Sequence, residues 1–306
     1  MGIFFAMKAA IDSSGQAKVA FLGLGIMGAP MAASLARAGI EVVAWNRTPE
    51  KAEAVAAEHD NVTVAAGAAE AAAAAGTAIS MVPDTAEVEA VLLGRGGAAD
   101  GLSEGGLAID MSTIAPTASR AIGERLAERG IDFLDAPVTG SRPKAEDGTL
   151  TIMAGGSEET FERARPLFEA MGELVVHAGP QGHGSMVKLI NNTLAAVNAA
   201  ALAEGLVLAG AAGVDTDRAL KVIASGSGNS TMAQIKAGPM LSGRLDPLFK
   251  LEHMLKDVRH CIAEARALGV EPKLAETAEA MYAEADEKGL GGRDFAAVIE
   301  AVVRRS

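Results

Sequence analysis

Three groups of residues in this sequence have the types and spacing to do chemistry. The first is Gly23-Leu24-Gly25-Ile26-Met27-Gly28. In a chain with 35 glycines such a pattern is a weak sign by itself. Its setting strengthens it, because it follows a strand pattern and opens a helical one. Gly23 would permit the tight turn, Gly25 would let backbone approach a pyrophosphate, and Gly28 would let helix and strand pack closely. The helix start adds amide donors and a positive dipole end, so the loop reads as a dinucleotide pyrophosphate site. The alternative is a plain structural turn. The second group is Trp45-Asn46-Arg47-Thr48, at the end of the next strand pattern. A carboxylate there would bind the ribose 2′-hydroxyl of NAD, and none is present. Arg47, with Asn46 and Thr48 as further donors, suits a 2′-phosphate, so NADP is the expected cofactor and NAD the less favoured one. Arg47 as a merely solvated charge is the competing view. The third group is Lys188 and Asn192, four apart and so on one helical face. A lysine whose pKa is drawn toward the working pH can pass a proton to or from an oxygen. Apolar neighbours Met186, Val187, Leu189 and Ile190 argue against a fully solvated face, but an ordinary helix residue stays open at this point.

These groups need elements to hold them. Apolar runs at 18–25, 40–45, 62–64, 78–82, 107–111, 131–135 and 149–154 read as strands. Helical patterns at 27–38, 51–58, 65–75, 87–93 and 117–129 alternate with them. This rhythm predicts the α/β class, with an N-terminal Rossmann-like doubly wound sheet covered on both faces. Beyond Gly184 only helical stretches follow, at 185–212, 216–224, 251–268, 272–287 and 295–303. The expected organisation is a loose extension over 1–16, a dinucleotide-binding domain over 17–179, and an all-helical substrate and oligomerisation domain over 180–306. Met7 is an alternative start. Ala195, Ala199 and Ala203 share one side of the first long helix and suit close helix packing.

Composition narrows the function. With 49% hydrophobic and 22% charged residues, a packed core is expected rather than disorder. A net charge of −12 without a Lys/Arg block argues against nucleic acid and an anionic membrane surface. It leaves a small anionic substrate open, since a site can be locally positive. The single cysteine, Cys261, excludes an intramolecular disulfide and a cysteine zinc site, and fits a cytoplasmic location. His253 and His260 lack metal-ligand spacing, and no metal is expected. The apolar run 3–7 is too short for a signal segment, and no strictly apolar stretch approaches membrane-spanning length. Ser225 to Thr231 reads as either a flexible linker or a loop on the substrate side.

Four separated motifs then agree. They are Phe21 to Met31, with the glycine loop inside it; Asp135-Ala136-Pro137-Val138-Thr139-Gly140-Ser141, leading to Ala145-Glu146-Asp147-Gly148-Thr149-Leu150; Gly182 to Asn192; and Phe249 to Asp257. In these segments the chain resembles the β-hydroxyacid dehydrogenase family, over about residues 18–303. The resemblance implies a catalytic Lys188 with Asn192 as its partner. It implies substrate contacts from Thr139, Gly140, Phe249 and Asp257, and cofactor contacts from Met81, Val82, Pro83, Thr113 and Lys256. The family usually has Ser-Gly-Gly where this chain has Thr139-Gly140-Ser141. Backbone binding of a carboxylate is expected to survive that change, with Ser141 at the substrate, and the added side chain bears on the limit on substrate size.

The resemblance implies hydride transfer between a nicotinamide cofactor and a short β-hydroxyacid or its semialdehyde. Tartronate, succinic and methylmalonate semialdehydes and glyoxylate are the expected candidates. It also implies a homodimer or homotetramer built through the helical domain. An imine reductase on the same scaffold and a catalytically silent NADP-binding module are the alternatives. The first is disfavoured by Lys188.

Overall fold

The structure is a computed structural model and describes residues 17–303. The expected extension over 1–16 lies outside the described residues. The chain divides into two compact units, Met1–Lys188 and Leu189–Ser306.

The first unit alternates strands and helices in the order β1 (Lys18–Leu22), α1 (Gly28–Arg37), β2 (Glu41–Trp45), α2 (Glu50–Glu58), β3 (Val62–Val64), α3 (Ala68–Ala75), β4 (Thr77–Ser80), α4 (Thr85–Leu93), α5 (Ala98–Gly101), β5 (Leu107–Asp110), α6 (Pro116–Ala127) and β6 (Asp132–Asp135). There follow β7 (Val138–Thr139), α7 (Ser141–Asp147), β8 (Leu150–Gly155), α8 (Glu158–Glu169), β9 (Gly172–Gly179) and the start of α9 (His183–Ala211). The strands form one sheet in the order β3-β2-β1-β4-β5-β6-β8-β7, with β9 paired to β8. β1 to β6 run parallel; β8 is antiparallel to β6 and β7.

Alternation along each strand explains the two-sided cover. Val19 and Phe21 of β1 enter a core with Met31 and Leu35 of α1. Ala20 and Leu22 enter the opposite core with Ala71 and Ala72 of α3 and Val88 of α4. A strand has period two, so a continuous apolar run feeds both faces. The order reverses between β1 and β4, and ligands of open α/β sheets bind beyond the strand ends at such a point.

Several elements differ from the sequence expectation. β9 and α8 had no expected counterpart. β9 is only partly buried and its apolar run is short, Leu174 to Val176 between Glu173 and His177, while α8 carries Pro166 within it. The sheet is mixed at its far edge because β8 turns back after the short β7.

The second unit holds the rest of α9, then α10 (Thr216–Ser225), α11 (Thr231–Ser242), α12 (Leu251–Ala267) and α13 (Lys273–Ala285). The stretch expected to be helical over 295–303 is a 3-10 turn, Phe295–Ala301. The expected 272–287 helix ends at Ala285 and passes into a π-turn broken by Gly289. α11 was hidden by Gly238 and Pro239 within it. Ala199 and Ala203 of α9 are fully buried, in a core with Met254, Val258 and Tyr282.

α9 is 29 residues long and apolar enough to cross a membrane by length and composition, with mean hydropathy 1.7 over a window one third buried. Polar Asn191, Asn192 and Asn198 interrupt it.

One buried ion pair organises the entry to α12. Lys236 of α11 meets Asp294 at 2.7 Å, both almost fully buried. The other Asp294 oxygen accepts the amides of Leu248 and Phe249 at 3.1 and 3.3 Å. Asp294 also caps the 3-10 turn through the Ala296 amide.

Candidate active site

The glycine loop stands where β1 meets α1. Gly23 has a φ of 100°, and a Cβ there would lie 2.4 Å from the Met81 carbonyl. A Cβ on Gly28 would lie 1.9 Å from the Gly23 carbonyl. Both positions therefore exclude a side chain, one by conformation and contact, the other by contact. At Gly25 a Cβ would meet nothing within 4 Å, so the backbone faces open space where a phosphate can approach. No side chain caps α1, which leaves its N-terminal end available to an anion. Leu24 turns inward and is buried, while Ile26 is exposed.

A cavity beside this loop is lined by Gly23, Gly25, Trp45, Asn46, Arg47, Thr48, Met81, Val82 and Pro83, all in the first unit. The residues fit a dinucleotide. Asn46 accepts the Leu24 amide at 2.8 Å and donates to the Thr48 carbonyl at 2.8 Å. Its side chain therefore ties the two loops together, and the exposed Arg47 and Thr48 remain as donors. Lys51 and Glu87 also line the cavity and were missed from the sequence. Lys51 sits in the first turn of α2 four residues after Arg47, a spacing that was legible. Thr113 follows β5, outside this lining.

A buried acid supports the cavity wall from below. Asp110, at the end of β5, accepts the hydroxyls of Ser80 and Ser112, each at 2.7 Å. The Ser112 hydroxyl oxygen accepts the Val82 amide at 2.9 Å. Asp110 thus fixes the loop after β4. Burial pushes its carboxyl up to about 6, against the pull of the two serine hydroxyls. Because the unfolded value is 3.8, the folded form holds its proton to higher pH than the unfolded form. Ionisation therefore costs stability, beginning near the unfolded pKa and fully expressed above the folded one, by about 3 kcal/mol. Asp110→Asn escapes this ionisation. Its stability relative to the parent is expected to climb by about 3 kcal/mol between about pH 4 and pH 6, then level off. Urea melts across that range check it; a gap that does not change with pH would count against a desolvated carboxylate.

Thr139 ends β7, paired to Thr151 of β8. Gly140 has a φ of 133°, and Ser141 has a φ of 57°, the one positive value among the described non-glycine residues. The following helix α7 is tied to α1: Ser34 donates to the Ala145 carbonyl at 3.0 Å and Arg37 to the Glu146 carbonyl at 2.6 Å. Lys188 lies on α9 and is 7% exposed, so the solvated-residue alternative is set aside.

In the second unit, Asn192 is buried and donates from Nδ2 to Asp257 Oδ2 at 2.7 Å. A carboxylate only accepts, so this contact fixes which way the amide points. Asn192 Oδ1 is turned away from Asp257 and accepts from Asn191 at 3.2 Å. Asp257 is fully buried, and its Oδ1 stands 3.4 Å from the Lys256 ammonium. Phe249 packs edge-on against Phe295, with ring centres 6.1 Å apart. Among the described residues no three His, Cys, Asp or Glu side chains gather as a metal-binding group.

Residues 18–179 match the family described as the NAD binding domain of 6-phosphogluconate dehydrogenase. Residues 182–302 match the NAD-binding family of NADP-dependent 3-hydroxyisobutyrate dehydrogenase. The chain belongs to the β-hydroxyacid dehydrogenase family. This β-hydroxyacid dehydrogenase is 33% identical to the chloroplastic glyoxylate/succinic semialdehyde reductase 2 of Arabidopsis thaliana over 291 residues, spanning 95% of this chain and 81% of that one. It is 34% identical to the 2-hydroxy-3-oxopropionate reductase of Escherichia coli, spanning 93% and 97%. Among solved structures it resembles 3-hydroxyisobutyrate dehydrogenase of Salmonella typhimurium, with a TM-score of 0.84, 33% identity, and 92% and 99% coverage. As a β-hydroxyacid dehydrogenase it is an NAD(P)-binding oxidoreductase acting on the CH–OH group of hydroxyacids.

Proposed function

We propose that this protein reduces a short aldehyde acid with NADPH, or oxidises the matching β-hydroxyacid with NADP, using Lys188 as general acid and base. The observation that carries the reading is the buried Lys188 one helical turn from an Asn192 whose amide Asp257 has oriented. Bound NADPH supplies the hydride. Lys188, as ammonium, donates a proton to the carbonyl oxygen as it becomes an alcohol, and as amine takes it back in oxidation. Asn192, its amide oriented by Asp257, is assigned as the partner of Lys188 one helical turn along α9. Amides of the Thr139-Gly140-Ser141 turn bind the substrate carboxylate. Lys256 and Thr113 serve the cofactor, and Phe249 walls the substrate. Glyoxylate and the tartronate, succinic and methylmalonate semialdehydes are the substrates this reading favours, the first three in keeping with the names of the similar reductases.

Arg47 and Lys51 support NADP over NAD, because both line the cavity and two cations there complement a 2′-phosphate. Arg47→Ala is expected to raise the KM for NADPH by about 10- to 100-fold, as loss of a charge-assisted contact implies, and to leave NADH use nearly unchanged. Steady-state kinetics with both cofactors over a panel of short aldehyde acids test both parts. A clear NADH preference overturns the cofactor assignment. Tight NADPH binding with no turnover on any acid favours a silent binding module.

The exposed apolar side chains Leu194 and Leu208 of α9 and Val222 of α10 support a homodimer or homotetramer in which a second copy of this chain covers these helices.

A further inference from the structure

We propose that Asp135, a residue outside the proton-transfer machinery, sets the position of Lys188 by clamping the first turn of α9 to the end of β6; this rests on Lys188 being the general acid. Asp135 is 1% exposed. Its Oδ1 accepts Gln181 Nε2 at 2.8 Å and the Gly182 amide at 2.7 Å. Its Oδ2 accepts the Ser185 amide at 2.6 Å. Three donors from one short stretch, all about 46 to 50 residues away in sequence, thus converge on one strand-end carboxylate. Free amides at a helix start normally find a local side-chain cap. Here the cap comes from the sheet, so it fixes the helix to the sheet as well as satisfying the amides.

The packing under the clamp leaves no slack. A Cβ on Gly184 would lie 2.3 Å from the Met153 carbonyl and 2.6 Å from the Asp135 carbonyl. A Cβ on Gly155 would lie 2.6 Å from Asp135 Oδ1 and 2.8 Å from the Gly184 amide. Two glycines therefore let the helix start press directly on the ends of β6 and β8. Lys188 follows Gly184 by one helical turn, so its backbone position is set by this contact.

Asp135 is also the register partner of Asp110 on the neighbouring strand. Asp110 positions the Val82 loop at the cofactor cavity, and Asp135 positions the helix that carries the lysine. Adjacent strand-end acids thereby place the cofactor wall and the proton donor on one rigid reference. Burial pushes the Asp135 carboxyl up, while the Gly182 and Ser185 amides pull it down.

Asp135→Asn is the discriminating variant. The amide oxygen can keep Gln181 and Gly182, but its NH2 then faces the Ser185 N–H, so the helix start must shift. A misplacement of about 1 Å at a catalytic group can cost as much as 100-fold in rate. The expected result is a folded protein with the parent's NADPH affinity and substrate KM within about threefold, and kcat lower by about 10- to 100-fold. Because proton donation becomes more limiting, the solvent deuterium isotope effect on kcat should rise. A defect that only reduces the folded fraction lowers kcat without changing the isotope effect, and that result overturns the proposal. So does a kcat within twofold of the parent. If Asp135→Asn fails to fold, Gly184→Ala displaces the same turn and must show the same signature. Lys188→Ala, run in parallel, separates the two readings. Loss of turnover there with normal Asp135→Asn removes only the clamp, whereas normal turnover in Lys188→Ala removes both.

Discussion

Replacing Lys188 by alanine is expected to leave a folded protein that still binds NADPH and to lower kcat by about 10²–10⁴-fold, the usual contribution of a positioned proton donor. The cofactor cavity is built from the loops after β1, β2 and β4, so truncation on α9 leaves its lining intact. Binding and turnover should therefore separate, with fluorescence titration of NADPH unchanged and steady-state kcat collapsed. Lys188→Arg is a sharper control. Arginine keeps the charge but stays protonated at working pH, so it cannot take up the proton in oxidation. Its oxidation rate should match that of the alanine variant. Turnover within tenfold of the parent in Lys188→Ala would take proton transfer away from this residue.

Asp294→Ala is expected to destabilise the protein by about 3–5 kcal/mol, because it leaves a buried charge without its partner. Lys236 is 3% exposed, with its ammonium 4.1 Å from the centre of the Phe295 ring, and water cannot reach it readily. The amides of Leu248, Phe249 and Ala296 lose their acceptor in the same step. Changing Lys236 to Met in the same chain should restore much of the loss, since an apolar side chain tolerates that site better than an unpaired ammonium. Urea denaturation of the single and double variants measures both effects. A single-variant loss below about 1 kcal/mol would mean that the pair behaves as a surface ion pair. The segment Asp294 holds leads into α12, which carries Lys256 and Asp257, so partial unfolding there should also reach the Asn192 contact.

The first unit was largely legible because its strands are continuous apolar runs with glycines at their ends. Val19 to Gly28 marks a strand, a turn and a helix start within ten residues. α7 escaped because Gly140 and Ser141 enter it through unusual backbone, and β9 because its apolar run is only three residues long, Leu174 to Val176. In the site, Lys188 and Asn192 were visible as a helical pair. The contact of Asn192 with Asp257, 65 residues away, was not, since no local pattern encodes a tertiary hydrogen bond. Asp135 was read as part of a motif, yet its task depends on donors from beyond β8. Lys51 lies past the strand end, in the first turn of α2, so the Trp45 to Thr48 pattern does not contain it although it lines the same cavity as Arg47.

Ser141 occupies a backbone conformation that costs a non-glycine residue on the order of 1–3 kcal/mol. The chain carries that strain because its surroundings over-determine the turn. Thr139 is locked to β8, and α7 is tied to Ser34 and Arg37 of α1. The shape of the Thr139-Gly140-Ser141 loop is thus decided when the protein folds. A flexible loop would lose its freedom on meeting a carboxylate and weaken the binding by that amount. On the carboxylate-binding role proposed for this turn, that loss moves out of the binding equilibrium and into the folding equilibrium, so global stability is lowered once while each substrate encounter meets an already ordered turn.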